Sequence, residues 1–158
     1  MTQERLFTVR QEEYTSDDYW TPKWIFDALG LEFDLDVACP PEGPAHTPCK
    51  AFYSQETDGL QQDWTGTVFM NPPFSNTTPW VRKWIQHGDG VALLPCVKET
   101  KWVRELFDSN ATVVWLNDCK IEFHHKGKSQ HIWTIVWLWA IGDKCSMALK
   151  SSGMGRVR

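Results

Sequence analysis

The spacing of apolar residues changes along the chain, and each change marks an expected element. Trp24, Ile25, Ala28 and Leu29 fall at helical spacing, Thr21-Pro22 supplies N-cap and N1 chemistry, and Gly30 stops the stripe. A short helix is therefore expected from about Pro22 to Leu29. From Leu31 to Val37 apolar residues alternate with acidic ones at period two, which predicts a strand ending in Asp36-Val37-Ala38-Cys39. Pro40, Pro41, Gly43, Pro44 and Pro48 then forbid regular structure, so 40–49 reads as a surface loop. A short strand around Ala51-Phe52-Tyr53 and a turn at Asp58-Gly59-Leu60 lead to a strand over 67–70.

The second half alternates in the same way. Trp80, Val81, Trp84 and Ile85 repeat at helical spacing before Gly88 and Gly90, and Val91-Ala92-Leu93-Leu94 is a continuous apolar run suited to a central strand. Trp102, Val103, Leu106 and Phe107 form another helical stripe. Strands are expected at 112–116, 119–124 and Ile132–Ile141, with Trp133, Ile135, Trp137 and Trp139 on one face of the last. That face reads as sheet core rather than a nucleic-acid platform.

This alternation favours an α/β domain, and 158 residues can bury roughly two-thirds of the unfolded chain's surface in one core. One domain is expected over 17–150, between a flexible arm at 1–16 and a flexible tail at 151–158. Ten tryptophans are more than a core of this size ordinarily uses, so some should line a binding surface. The net charge of −4 means that any nucleic-acid contact must come from local clusters. Five cysteines without CxxC spacing suit reduced thiols in a cytoplasmic protein. No apolar run reaches membrane-spanning length, so no membrane partner is expected. Cys39, His46 and Cys49, with or without His124, His125 or His131, match no standard zinc spacing, and no metal is expected.

The most specific chemistry lies where the 67–70 strand ends in Asn71-Pro72-Pro73-Phe74. A planar amine such as the exocyclic amino group of adenine is a poor nucleophile because its lone pair is delocalised into the ring. Two fixed acceptors, each taking one N–H, stabilise the charge that builds on nitrogen as it attacks. Asn71 offers a side-chain carbonyl and Pro72 a backbone carbonyl, the latter aimed by two consecutive proline rings at 72 and 73. Phe74 offers a face on which a base can stack, worth about 1–3 kcal/mol in comparable sites. Read without such chemistry, the segment is a tight strand exit followed by a core plug.

Several segments together resemble the phage-type DNA adenine-N6 methyltransferases. The resemblance runs from about Asp17 to Phe123 and rests on Asp18-Tyr19-Trp20-Thr21-Pro22, Asp34-Leu35-Asp36-Val37-Ala38-Cys39, Asp58-Gly59-Leu60 with Trp64, Asn71-Pro72-Pro73-Phe74 and Val91-Ala92-Leu93-Leu94-Pro95, in that order. It implies a Rossmann-like methyltransferase sheet, mostly parallel with an antiparallel C-terminal hairpin. It also implies S-adenosylmethionine as cofactor, double-stranded DNA as partner, and the cytoplasm of a bacterial or phage-infected cell as location. Thr21 and Pro22 would hold the methionine part of the cofactor, Asp36 and Ala38 would end the first strand beside it, and Asp58 and Leu60 would meet its adenine. Asn71, Pro72, Pro73 and Phe74 would be catalytic or base-stacking, and the target adenine would have to leave the duplex.

The chain departs from the family pattern in one respect. Cys39-Pro40-Pro41-Glu42-Gly43-Pro44 stands where a glycine-rich cofactor loop is usual, and the interval from Asp36 to Asp58 is short for a helix plus a strand. Arg82, Lys83, Lys98, Lys101, Lys120, Lys126 and Lys128 are candidate phosphate contacts. Lys98, Lys101 and Lys120 are favoured over a merely solvated face because they adjoin strand ends, and Phe123 could touch the target base or equally pack in the core. Two other activities fit less well: methylation of a protein glutamine amide, which ordinarily needs a recognition domain, and a non-catalytic DNA-binding module, against which the intact Asn71–Phe74 segment argues.

Overall fold

The computed structural model describes residues 20–97, 100–125 and 128–158, with the backbone alone from 117 to 134. The elements are α1 (Lys23–Leu29), β1 (Phe33–Cys39), β2 (Cys49–Ser54), β3 (Val68–Met70), α2 (Thr77–His87), β4 (Gly90–Pro95), α3 (Lys101–Asp108), β5 (Thr112–His125), β6 (Lys128–Ile141), α4 (Asp143–Ser151) and β7 (Gly155–Val157). Single 3-10 turns at Gly59–Gln61 and Phe74–Asn76 flank β3.

The strands form one mixed sheet in the order β2-β1-β3-β4-β6-β5-β7. The pairings β2–β1, β1–β3 and β3–β4 are parallel, and β4–β6, β6–β5 and β5–β7 are antiparallel. The chain is thus an α/β fold whose sheet is parallel in its first half and antiparallel in its second.

Apolar runs without alternation predict strands buried on both faces, and the core shows why. On one face, α1 and α4 cover Phe33, Phe69, Val91, Leu93, Val136 and Leu138. On the other, α2 and α3 cover Val37, Val68, Met70, Leu94, Trp137 and Trp139. Trp84 of α2 and Trp139 of β6 are essentially inaccessible, at 0% and 1% exposure. Burying a large apolar side chain to this extent contributes about 1.5–3 kcal/mol.

Three local expectations change, and one helix is new. Pro22, not Thr21, is the N-cap of α1, and no side-chain cap bond is made there among the described residues. The separate strands at 112–116 and 119–124 are one strand, β5, whose pairing with β6 shifts register between Trp115 and Lys120. Helix α4 had no clear periodic signal, because only Cys145 and Leu149 of its nine residues are buried. The stretch expected to be a flexible tail includes β7, which adds to the sheet edge through pairs such as Val114 with Val157. The proposed arm at 1–16 lies outside the described residues.

On β6, Trp137 and Trp139 are core while Ile135, on the same face, is 48% exposed. The ladder with β4 ends at Pro95 opposite Val136, with one further backbone bond from Cys96 N to the Ile135 carbonyl at 3.1 Å, and before that point the partner strand of β6 is β5. Trp133 falls where side chains are not described.

Candidate active site

A cavity of about 450 Å³ opens at the carboxyl ends of β1, β2 and β3. Its size is that of a small-molecule site, and its position is where open α/β sheets gather ligands. β1 delivers Asp36, Ala38 and Cys39 to it, β2 ends on Ser54 at its wall, and Asn71, Pro72 and Pro73 leave β3 at its lip. No helix separates β1 from β2: residues 40–48 join the two parallel neighbours directly, which accounts for the short interval between Asp36 and Asp58. Pro40, Pro41, Ala45, His46 and Thr47 of that connection line the cavity themselves.

Asn71 is half-buried, and its Nδ2 donates to Thr21 Oγ1 at 3.0 Å. The amide nitrogen is thereby engaged and the amide oxygen is left as the group to offer a ligand. Beyond it the backbone closes on itself, with Asn76 N donating to the Pro73 carbonyl at 3.1 Å and the Thr77 hydroxyl to the Phe74 carbonyl at 3.3 Å.

Asp36 is 3% exposed, and its Oδ1 accepts from Ala38 N at 3.2 Å. Burial raises its pKa to about 6, against hydrogen bonds from Thr47 and from the Ala38 N–H that pull it down. A carboxyl held this way is poised to receive a cationic ligand group. Burial also pushes the Cys39 thiol up strongly and Cys49 to about 11, so neither is a reactive thiolate at neutral pH. Among the described residues, no three His, Cys, Asp or Glu side chains converge as a metal site would require.

Asp58 begins the turn on the opposite wall. It adopts φ 50, and its side chain accepts from Leu60 N at 3.2 Å. Gly59 follows because nothing larger fits: an added Cβ would lie 2.0 Å from the Val37 carbonyl oxygen and 3.2 Å from the Trp80 ring. Trp64 Nε1 donates to the Gly59 carbonyl at 2.8 Å, and the Trp64 ring stacks on Trp80 with centroids 6.3 Å apart. The Lys83 ammonium donates to the carbonyls of Leu60 and Gln62 and lies 5.0 Å from the Trp64 ring centroid.

The profile of the DNA N-6-adenine-methyltransferase (Dam) family matches residues 9–148, which include every cavity-lining residue. The chain belongs to this family. It is similar to the DNA N-6-adenine-methyltransferase of Haemophilus phage HP1, with 31% identity over 75% of this chain and 73% of that protein. It is also similar to that of Escherichia phage T1, with 34% identity over 63% of this chain and 44% of that protein. No solved structure matches the chain significantly.

For a Dam-family chain, the geometry gathers most of the expected site. Thr21, Asp36, Ala38, Asp58, Leu60, Asn71, Pro72 and Pro73 all line the one cavity. Pro22 and Phe74 do not: Pro22 is buried at the start of α1, and Phe74 packs in part against the core on the α1 and α4 face. Of the DNA-contact candidates, Lys101 is exposed at the start of α3, whereas Lys98 and Lys126 lie outside the described residues. Lys120, Phe123 and Lys128 are placed by their strand backbones alone. Arg82 is engaged instead with Glu105, at 3.0 and 2.9 Å, and Lys83 with the turn after Asp58, so both serve the protein's own structure.

Four contributors were given no role in the site by sequence reasoning. Trp80 stands on the helical stripe of α2 and is 7% exposed, yet part of it faces the cavity. Thr47 supports Asp36, and the 40–48 connection forms a wall; neither is visible without knowing that β1 and β2 are neighbours. Trp20 lines the cavity with its ring edge-on to His46, and its buried Nε1 has no hydrogen-bond partner among the described residues.

Proposed function

We propose that this chain transfers a methyl group from S-adenosylmethionine to the N6 amino group of adenine in double-stranded DNA. The observation that carries the reading is the placing of Asn71, with its amide nitrogen engaged by Thr21, at the lip of a cavity walled by Asp36 and Asp58. Family membership supports it.

The donor set fits the cofactor. Asp36 suits its ammonium group, the Thr21 hydroxyl and the Trp20 N–H, unpartnered among the described residues, suit its carboxylate, and Asp58 with Leu60 and Trp80 forms a wall suited to a flat, polar-edged nucleoside. When bound, S-adenosylmethionine supplies a methyl group made electrophilic by its sulfonium.

The residues of the lip do the rest. Asn71 Oδ1 and the Pro72 carbonyl each accept one N–H of the adenine amine, which increases electron density on nitrogen and stabilises the positive charge that develops there. A C–N bond forms as the C–S bond breaks, and the extra N6 proton passes to solvent. Phe74 is the candidate for stacking the extruded base, at the edge of the site rather than inside the cavity. The strand order supports reading the sheet as Rossmann-like, a single methyltransferase unit that takes in β7 beyond residue 150, and the phage relatives support work in the cytoplasm of a bacterial host.

The deciding experiment offers methyl-labelled cofactor with duplex DNA in one arm and protein extract in the other. Label should enter DNA at N6 of adenine and be lost with Asn71→Ala, while that variant still binds cofactor. Label in protein, or full activity of Asn71→Ala, would overturn the assignment.

A further inference from the structure

We propose that Thr21 is a positioning residue for Asn71, and that its hydroxyl links cofactor occupancy to the orientation of the catalytic amide. The proposal rests on the adenine-methyltransferase reading above and assigns Thr21 a role beyond holding the cofactor.

A threonine just before a helix ordinarily caps it, but this hydroxyl does not. Pro22 is the N-cap of α1, and no side-chain cap bond is made there among the described residues. Thr21 is instead 6% exposed at the cavity wall, and its Oγ1 accepts from Asn71 Nδ2 at 3.0 Å, across 50 residues of sequence. This bond ties the lead-in of α1 to the lip beyond β3.

The two ends of an asparagine amide have nearly the same shape and opposite hydrogen-bond character. If Nδ2 faced the substrate amine, donor would meet donor and no charge would be stabilised. With Nδ2 held by Thr21, Oδ1 is presented as acceptor. A hydroxyl has one proton and two lone pairs, so Thr21 can serve two partners in the same cavity at once. Once its proton is given to the cofactor carboxylate, it has only lone pairs left for Asn71, and the amide must then keep Nδ2 toward it. The acceptor for adenine is therefore set before the base arrives.

The test compares Thr21→Val, which keeps the shape and loses the hydroxyl, with Thr21→Ser, which keeps the hydroxyl, and uses Asn71→Ala as the reference for loss of catalysis. Methyl transfer into duplex DNA is measured at saturating cofactor, alongside cofactor affinity by calorimetry. Thr21→Val should lose roughly ten- to a hundredfold in kcat, of the order that misplacing a catalytic group costs. Thr21→Ser should stay within about threefold of the parent, because the hydroxyl that sets the amide is retained.

The two readings fail differently. If Asn71→Ala is active, the adenine-methyltransferase mechanism itself is wrong. If Asn71→Ala is inactive but Thr21→Val keeps the parent kcat at saturation, or Thr21→Ser falls as far as Thr21→Val, the positioning role is refuted. Should Thr21→Val not fold, Thr21→Ala is judged by the same comparison with Thr21→Ser.

Discussion

At the scale of single residues, Asp36 is where function and stability pull apart. In the unfolded chain its carboxyl titrates near 3.8, whereas burial in the folded protein raises it to about 6. Between those values the folded state binds more protons, so stability falls as pH rises from about 4 to about 6, and above 6 the whole cost is present. The gap between the two values corresponds to on the order of 3 kcal/mol. Asn at position 36 carries no charge to bury. Asp36→Asn should therefore melt higher than the parent at pH 7.5, differ little at pH 4, and bind cofactor at least about tenfold more weakly for want of the charge pair. Melting curves at the two pH values and a cofactor titration check this. Equal melting temperatures at pH 7.5 would show that the burial carries no such cost.

At the scale of elements, the turn after Asp58 shows what was readable in the sequence and what was not. Asp58-Gly59-Leu60 announced a turn through its residue types, and Asn71-Pro72-Pro73 announced a strand exit because proline ends the apolar run of β3 abruptly. What holds the turn in place was not legible, since Lys83 reaches it from α2, more than twenty residues away, and an exposed-looking lysine on a helix reads as a solvated or phosphate-contacting charge. Here the ammonium donates to the Leu60 and Gln62 carbonyls and rests over Trp64. Helix α4 was missed for the opposite reason, with too few apolar residues to set a period. Lys83→Met keeps the aliphatic stem over Trp64 and removes the donor. It should weaken cofactor binding by roughly three- to tenfold, as expected for the loss of hydrogen bonds made by a charged group, and leave kcat at saturation unchanged. A cofactor titration showing parent affinity would mean that the turn holds without Lys83.

At the scale of the whole molecule, the topology brings the distant parts of the candidate site to one end of the sheet. β3 and β4 are parallel and β6 runs against β4, so the part of β6 before Val136 extends past the same end at which Asn71 leaves β3. The two-stranded β5–β6 ribbon therefore projects from the edge that carries the cavity, with Lys120 opposite Ile135 at its base and Lys101 at the start of α3 after β4. A two-stranded ribbon is of a size to enter a DNA groove. With a net charge of −4 the chain as a whole repels a polyanion, so affinity must come from such local cations against the global field. Each phosphate contact releases counterions and adds about 0.9 to the slope of log affinity against log salt. The double variant Lys101→Gln/Lys120→Gln should accordingly flatten that slope by about two and leave cofactor affinity unchanged. Arg82→Gln should not alter it, because that guanidinium is already engaged by Glu105. Duplex binding by fluorescence anisotropy across a salt series measures both. If the slope of the double variant equals the parent's, the DNA lies elsewhere on the molecule.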